Sequence, residues 1–280
     1  MSKCCDDHIV TKTRSSAIKT SKQRLETDRS SLHLWRNHAR LERIRDKNAE
    51  AAKIYKLVMS LNPQSSEMPL LVADAVEFFW LNDDQTEARQ TLSRFLDIQG
   101  AFTGLDLLRA RKNLEGRATL NGSYSPQWEA CTRIKFFLEL CATNFQEAIA
   151  IIDSCIAELD KQLPSRESLT VWLCTTIFSI AQIAGSMVPP VVISGRINAA
   201  LAEYSGNTIL LGLFLECERG LGIWGRVRNL LDDSSLGSAT VVPKALMRVA
   251  WEVWAEAWGY GPWEHERVRM KLERVLSIKR

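Results

Sequence analysis

The feature that most constrains this chain is a recurring pattern: a bulky apolar anchor on one helix, a charged turn, then a second amphipathic helix. It reads first as Leu34-Trp35 with Ala39 and Glu42, followed by Ala49-Glu50-Ala51-Ala52-Lys53-Ile54-Tyr55. Later anchors stand at Trp128, Trp172, Phe214 and Trp254, in steps of 44, 42 and 40. The step from Trp35 to Trp128 is 93, about two such units, with Leu70-Leu71 heading the one between. A period near 40 with two helices per unit is the signature of a helical-repeat solenoid. In such a fold each unit buries its apolar face only against its neighbours, and the result is usually a surface for other molecules.

The spacing therefore predicts an all-α, superhelical solenoid of antiparallel helix pairs. Its repeat anchors are Trp35, Tyr55, Trp128, Trp172, Phe214 and Trp254, all read as core packing. A hydrophobic fraction of 46% supplies enough apolar surface for that core. Helices are expected from near Ser31, and near 48–61, 69–81, 85–99, 104–118, 128–141, 144–159, 169–184, 191–204 and 208–218. Three further stretches, 223–231, 244–258 and 263–278, finish the chain. Asn48 is expected as an N-cap, and Asp84 with Glu87 and Asn144 with Glu147 have capping-box spacing. No stretch alternates in the manner of a strand followed by a hairpin turn. Residues 1–30, rich in Ser, Thr, Lys and Arg, read as a basic leader, disordered or weakly helical. Residues 31–280 then form one repeat domain of roughly six helix pairs, with loops near 119–127 and 232–242.

The net charge of +3 conceals an asymmetry: residues 1–60 carry +7 and the remainder −4. Arg36, Arg40, Arg43 and Lys47 contribute to it at spacings of four, three and four, which places them on one helix face. Clustered cations of this kind contact RNA phosphates or an acidic partner; they also serve as the solvated face of a repeat helix. Arg267, Lys271 and Arg274 repeat the pattern near the end.

Other candidate chemistry is thin. Gly220, Gly222 and Gly225 match a dinucleotide-binding spelling, but that motif works between a strand and a helix, and the preceding run is helical. Seven cysteines, an odd number without a CxxC, fit reduced thiols inside helices. Cys4, Cys5 and His8 lack a second ligand pair. The four histidines form no metal-ligand spacing. Residues 168–195 carry no charge, yet their helical part ends at Gly185 after about 17 residues, at the lower limit for crossing a bilayer. A buried repeat helix is the better reading, and no membrane span is expected. No catalytic residue, cofactor or metal ligand is assigned.

The helix pairs resemble half-a-TPR repeats, whose first helix reads Trp-x-x-Tyr-Ala-x-x-Glu. Trp35, Ala39 and Glu42 match it, with His38 where tyrosine is expected. The second helix reads Ala-Arg-x-Ile-Tyr, and Ala52, Lys53, Ile54 and Tyr55 fit it conservatively. Glu87-Ala88-Arg89 keeps only the Ala-Arg. Taken with Leu34 to Leu61, Leu70 to Phe95, Phe214 to Arg228 and Ala250 to Val275, the chain resembles the C-terminal repeat region of the nuclear RNAi-defective-2 family.

That resemblance implies a nuclear, non-enzymatic protein in RNA processing and surveillance. It implies exosome-associated helicase and splicing factors as partners. The processes are exosome regulation, splicing, or small-RNA-directed silencing and heterochromatin. RNA itself remains a possible ligand. The family's long disordered segment and its helicase contact are not visible in this sequence, and its members run past the final helix here. A fragment of a longer protein is therefore expected.

Overall fold

The computed structural model describes residues 16–60, 65–98, 102, 104–120, 125–142, 145–161, 163–184 and 188–221. The described residues are all-α, with no strand, and neighbouring helices pack in a sequential array. The chain divides into two compact units, residues 1–158 and 159–280.

The first unit holds α1 over residues 16–27, α2 (Leu32–Ile44), α3 (Asn48–Met59), α4 (Met68–Leu81), α5 (Gln85–Leu96), α6 (Gly104–Leu120), α7 (Pro126–Ala142) and α8 (Phe145–Glu158). Of the two readings of the basic leader, disordered or weakly helical, residues 16–27 take the helical one. Ile18 and Leu25, seven apart and so on one face, are both buried, which gives this short basic helix something to pack with. Helices α2 and α3, α4 and α5, and α7 and α8 form pairs. Across the pairs α4 packs against both α2 and α7, and α6 packs on α7.

The turns explain why the first two pairs look alike. Helix α2 ends with Asp46 at φ 58°, and α4 ends with Asp83 at φ 60°. Aspartate tolerates this left-handed conformation better than most residues with a Cβ. In each turn the N–H two residues past the C-cap reaches back five residues, Lys47 to the Glu42 carbonyl at 3.0 Å and Asp84 to that of Phe79 at 2.9 Å. This is the Schellman closure, which satisfies carbonyls the helix end would leave unpaired. Asp46 and Asp83 stand 37 positions apart. The same offset links Ala51 to Ala88 and Tyr55 to Leu92, all four fully buried. Side chains also join consecutive pairs at a sequence separation of 34: the His33 N–H donates to Glu67 at 3.1 Å, and Asn48 donates to Asn82 at 2.9 Å.

The caps differ in part from expectation. Ser31 caps α2 by accepting from the Leu34 N–H at 3.3 Å. Asp84 caps α5 by accepting from Glu87 at 3.1 Å. The return half of that capping box is absent, because the Glu87 carboxylate takes Lys56 at 2.6 Å instead. Asn48 is not the cap of α3. It is the first helical residue, and its side chain is committed to Asn82. Asn144 lies outside the described residues.

The core of the first unit is aromatic. Tyr55, Phe78, Phe79, Phe136 and Phe137 are almost wholly buried. Tyr55 meets Phe78 at 5.4 Å between ring centres, Phe78 meets Phe79 at 5.3 Å, and Phe136 meets Phe137 edge-on at 5.2 Å. Trp80 meets Phe137 at 6.1 Å, which carries the cluster from α4 to α7. Such offset contacts add to the burial of area.

The second unit is described through α9 (Pro164–Ala184), α10 (Pro190–Glu203) and α11 (Thr208–Leu221), which all touch one another. Proline begins α9 and α10, where its missing N–H costs nothing. Helix α9 starts five residues before the expected Leu169 and so includes Arg166 and Glu167. Arg166 donates to Glu203 at 2.9 Å and to the Leu159 carbonyl at 2.8 Å. Asn207 accepts from the Ile209 and Leu210 N–H groups, capping α11, and donates to Glu167 at 2.8 Å. Trp172 and Phe214 are buried, and Leu169, Leu173, Ile177 and Leu210 complete this core. Among the described residues no helix is long and apolar enough to cross a membrane. Trp254 and the expected helices beyond residue 222 lie outside the described residues, as does the loop near 232–242.

Trp172→Ala is expected to lower the stability of the second unit by about 3–5 kcal/mol, because Trp172 is 7% exposed and its removal leaves a cavity. Chemical denaturation of both forms, followed by circular dichroism, checks this; an unchanged midpoint refutes the packing assignment.

Candidate interaction site

Helix α4, with the sequence MPLLVADAVEFFWL, buries eleven of its fourteen residues. A helix apolar on nearly every side belongs in the middle of a layer. Asp74 is the exception, a carboxylate only 3% exposed among these side chains. An ionised group at such depth requires paired, hydrogen-bonded cations.

Helix α2 supplies them. Arg36 and Arg40 are one turn apart and both reach Asp74. Arg36 donates from Nε to Oδ2 at 2.7 Å and from Nη2 to Oδ1 at 3.3 Å. Arg40 donates from Nε to Oδ2 at 2.5 Å and from Nη2 to Oδ1 at 2.9 Å. Burial pushes the Asp74 carboxyl up, but the hydrogen bonds and charges of Arg40 and Arg36 outweigh it and hold the group below the usual carboxylate range.

The remaining members of the expected basic stripe go elsewhere. The Arg43 guanidinium lies over the Phe78 ring at 5.4 Å, a cation–π contact. Lys47 is exposed in the turn after α2. The four cations therefore do not form one open strip: two clamp a buried acid, one covers an aromatic ring, and one faces water. Beneath them burial raises the Tyr55 phenol, with Arg43 drawing it down and Asp74 adding to the rise. His38, on the same helix, is buried, and that burial lowers its imidazole pKa despite the neighbouring Glu42.

The anchors divide in the same way. Tyr55, Trp172 and Phe214 are core residues. Trp35 and Trp128 are half-buried. The Trp35 indole N–H donates to the Arg29 carbonyl at 2.9 Å, which ties α2 to the turn before it.

Two recesses among the described residues of the first unit bear on this site. One, of about 150 Å³, lies where α2, α4 and α7 meet; Arg36, Arg40, Leu70, Asp74, Glu129 and Arg133 line it. Arg133 pairs with Glu129 one turn earlier on α7. Three guanidiniums thus face two carboxylates around a concave surface. The other, of about 410 Å³, is walled by α6, α7 and α8 and lined by Leu114, Trp128, Cys131, Lys135 and Cys155 among others. Burial pushes the Cys131 thiol up to about 11 and also raises Cys155, so neither is an activated nucleophile. Among the described residues no group of three or more metal-ligating side chains comes together. Cys4, Cys5 and His8 are not among them, and neither are Gly222, Gly225, Arg267, Lys271 and Arg274. Gly220 lies within helix α11, so no strand precedes the glycines.

A second clamp recurs on α7. Glu139, fully buried, accepts from Arg111 of α6 at 2.6 Å through each of its oxygens. The signal for both acids stands in the sequence as a lone carboxylate within an apolar run, Leu71-Val72-Ala73-Asp74-Ala75-Val76 and Phe136-Phe137-Leu138-Glu139-Leu140. Arg133 had no comparable signal, since its place in the recess depends on α7 packing against α4.

Neither a scan of known protein families nor a search of curated proteins finds a match to this chain.

Asp74→Ala is expected to destabilise the first unit by about 3 kcal/mol, because it strands Arg36 and Arg40; the figure sits at the low end because Arg40 reaches solvent. The depressed carboxyl pKa also fixes a sign. Asp74 contributes stability above the ordinary aspartate range and loses it as pH falls through its folded value. Denaturation of the native chain and the variant across acidic pH checks both points: the stability gap must narrow on acidification.

Proposed function

We propose that this chain is a non-enzymatic scaffold that works through protein–protein contacts on its helical-repeat surface. The observation that carries this reading is the array of α2, α4 and α7, which stand side by side and share a charged recess. Stacked helix pairs of this kind provide extended surfaces assembled from several elements, suited to contact with other chains.

The sequence resemblance supplies the setting. It points to the nucleus, to exosome-associated helicase and splicing factors as partners, and to RNA surveillance, splicing or small-RNA-directed silencing as the process. Direct RNA binding through Arg36, Arg40, Arg43 and Lys47 is the alternative. The protein reading is favoured because Arg36 and Arg40 already hold Asp74 and Arg43 already covers Phe78, which breaks the run of cations a phosphate backbone needs.

Affinity purification of the tagged chain from nuclear extract, with and without RNase, followed by mass spectrometry, tests the two. Exosome-helicase or splicing proteins that survive RNase are expected. Partners that all disappear with RNase would sink the protein-scaffold reading in favour of RNA.

A further inference from the structure

The recess at α2, α4 and α7 has chemistry that the fold does not consume. A guanidinium carries five N–H donors. Arg36 and Arg40 each spend two on Asp74, one from Nε and one from Nη2. The Nη1 groups and the second Nη2 proton of each are left over. Arg40 is 42% exposed along its side chain, so its donors reach water. Across the recess stands Arg133, and Leu70 supplies an apolar wall. Three cations face Asp74 and Glu129 around a space of about 150 Å³, and Glu77, one turn beyond Asp74 on α4, also acts on Arg40.

We propose that this recess binds a carboxylate of an acidic segment in a partner protein, an Asp or Glu side chain or a chain end. The proposal rests on the scaffold reading and names the partner's chemistry. The space holds one carboxyl group and part of its stem. Planar guanidinium forks match a carboxylate's two oxygens. Asp74 performs a second task here: by holding both forks from behind, it fixes their free edges before a ligand arrives, which removes much of the ordering cost of binding. RNA is disfavoured because the Asp74 and Glu129 carboxylates interrupt the cationic surface that a run of phosphates would follow.

The test uses the full chain with three probes: a labelled oligoglutamate peptide, its oligoglutamine counterpart, and oligouridylate. Fluorescence anisotropy reads binding. Oligoglutamate is expected to bind and oligoglutamine is not. Leu70→Glu places a carboxylate on the recess wall without touching either Asp74 contact. It should weaken oligoglutamate at least about tenfold, the scale of one charged hydrogen bond, whereas Leu70→Gln changes it little. Arg133→Gln should weaken it as well, and Arg40→Lys should do so while keeping the charge. Thermal melts establish that each variant is folded. For any that is not, hydrogen exchange on the native chain decides: bound peptide should slow exchange at 36–40, 70–74 and 129–133.

Oligoglutamate affinity that ignores Leu70→Glu and Arg133→Gln in folded protein overturns the proposal. So does protection that falls elsewhere. Oligouridylate that binds more tightly and is lost with the same variants overturns it in favour of RNA. If Leu70→Glu abolishes oligoglutamate binding yet retains every RNase-resistant partner, the recess is not the partner surface, and the scaffold reading survives alone.

Discussion

A carboxylate that is nearly out of water organises the first unit. Asp74 sits on a helix whose other buried positions are apolar, and its charge must be met from outside that helix. Two arginines one turn apart on α2 meet it, each with a side-on pair of hydrogen bonds. Apolar packing alone specifies this contact weakly, since neighbouring aliphatic side chains tolerate sliding. A slip of α2 along α4 by one turn would carry one of the two guanidiniums away from Asp74 and leave the buried carboxylate half-matched. The ion pairs therefore act as a register pin, and the hydrophobic surface supplies the stabilisation that holds the pinned geometry together. Glu139 and Arg111 repeat the arrangement between α7 and α6, again with the acid on the more buried helix.

Around these pins the repeat is carried by backbone geometry as much as by side chains. Asp46 and Asp83 close equivalent turns with the same reach-back hydrogen bond, and the helices that follow bury Ala51 and Ala88 at corresponding points. Small residues there let the two helices of each pair approach closely. The regularity then breaks. Helix α6 is interposed between α5 and α7, so α4 meets α7 with a whole extra helix between them in sequence. Arg117 of α6 covers Phe95 of α5 at 4.6 Å, which anchors the inserted helix on the pair before it. The recess walled by α6, α7 and α8 belongs to this irregular part of the unit.

Helical periodicity made the elements legible because it is local: apolar spacing and turn residues located ten helices to within a few residues, apart from the earlier start of α9. The period is carried unevenly. Large aromatics suggested steps near 40, and Trp172 and Phe214, 42 apart, are both buried; Trp35 and Trp128 are only half-buried, and between the first two pairs the turns of Asp46 and Asp83 repeat at 37. The aromatic anchors mark bulk, whereas the turns mark the repeat. Helix α1 was left open between disorder and weak helix because its composition is polar; only Ile18 and Leu25 bury, and two residues give too little signal in a basic segment. Arg36, Arg40 and Arg43 lie along α2 and Lys47 falls in the turn after it, but spacing cannot say whether a face meets water or a buried acid. That depended on Asp74, 34 residues beyond Arg40.

The same dependence ties the recess to the fold. Arg36 and Arg40 cannot be optimised for a ligand independently of Asp74, because the atoms that steady α2 against α4 also aim the free edges of both guanidiniums. A carboxylate entering the recess adds negative charge beside Asp74 and shares its cations, so it competes in part with the buried acid. Arg133 matters for that reason: it adds positive charge from α7, outside the Asp74 clamp. A ligand that draws on Arg40 and Arg133 together spans α2 and α7, and it binds only when both are seated on α4. Its binding free energy then adds to the stability of the three-helix contact. Recognition and register are linked through one aspartate, and loss of Asp74 damages both at once.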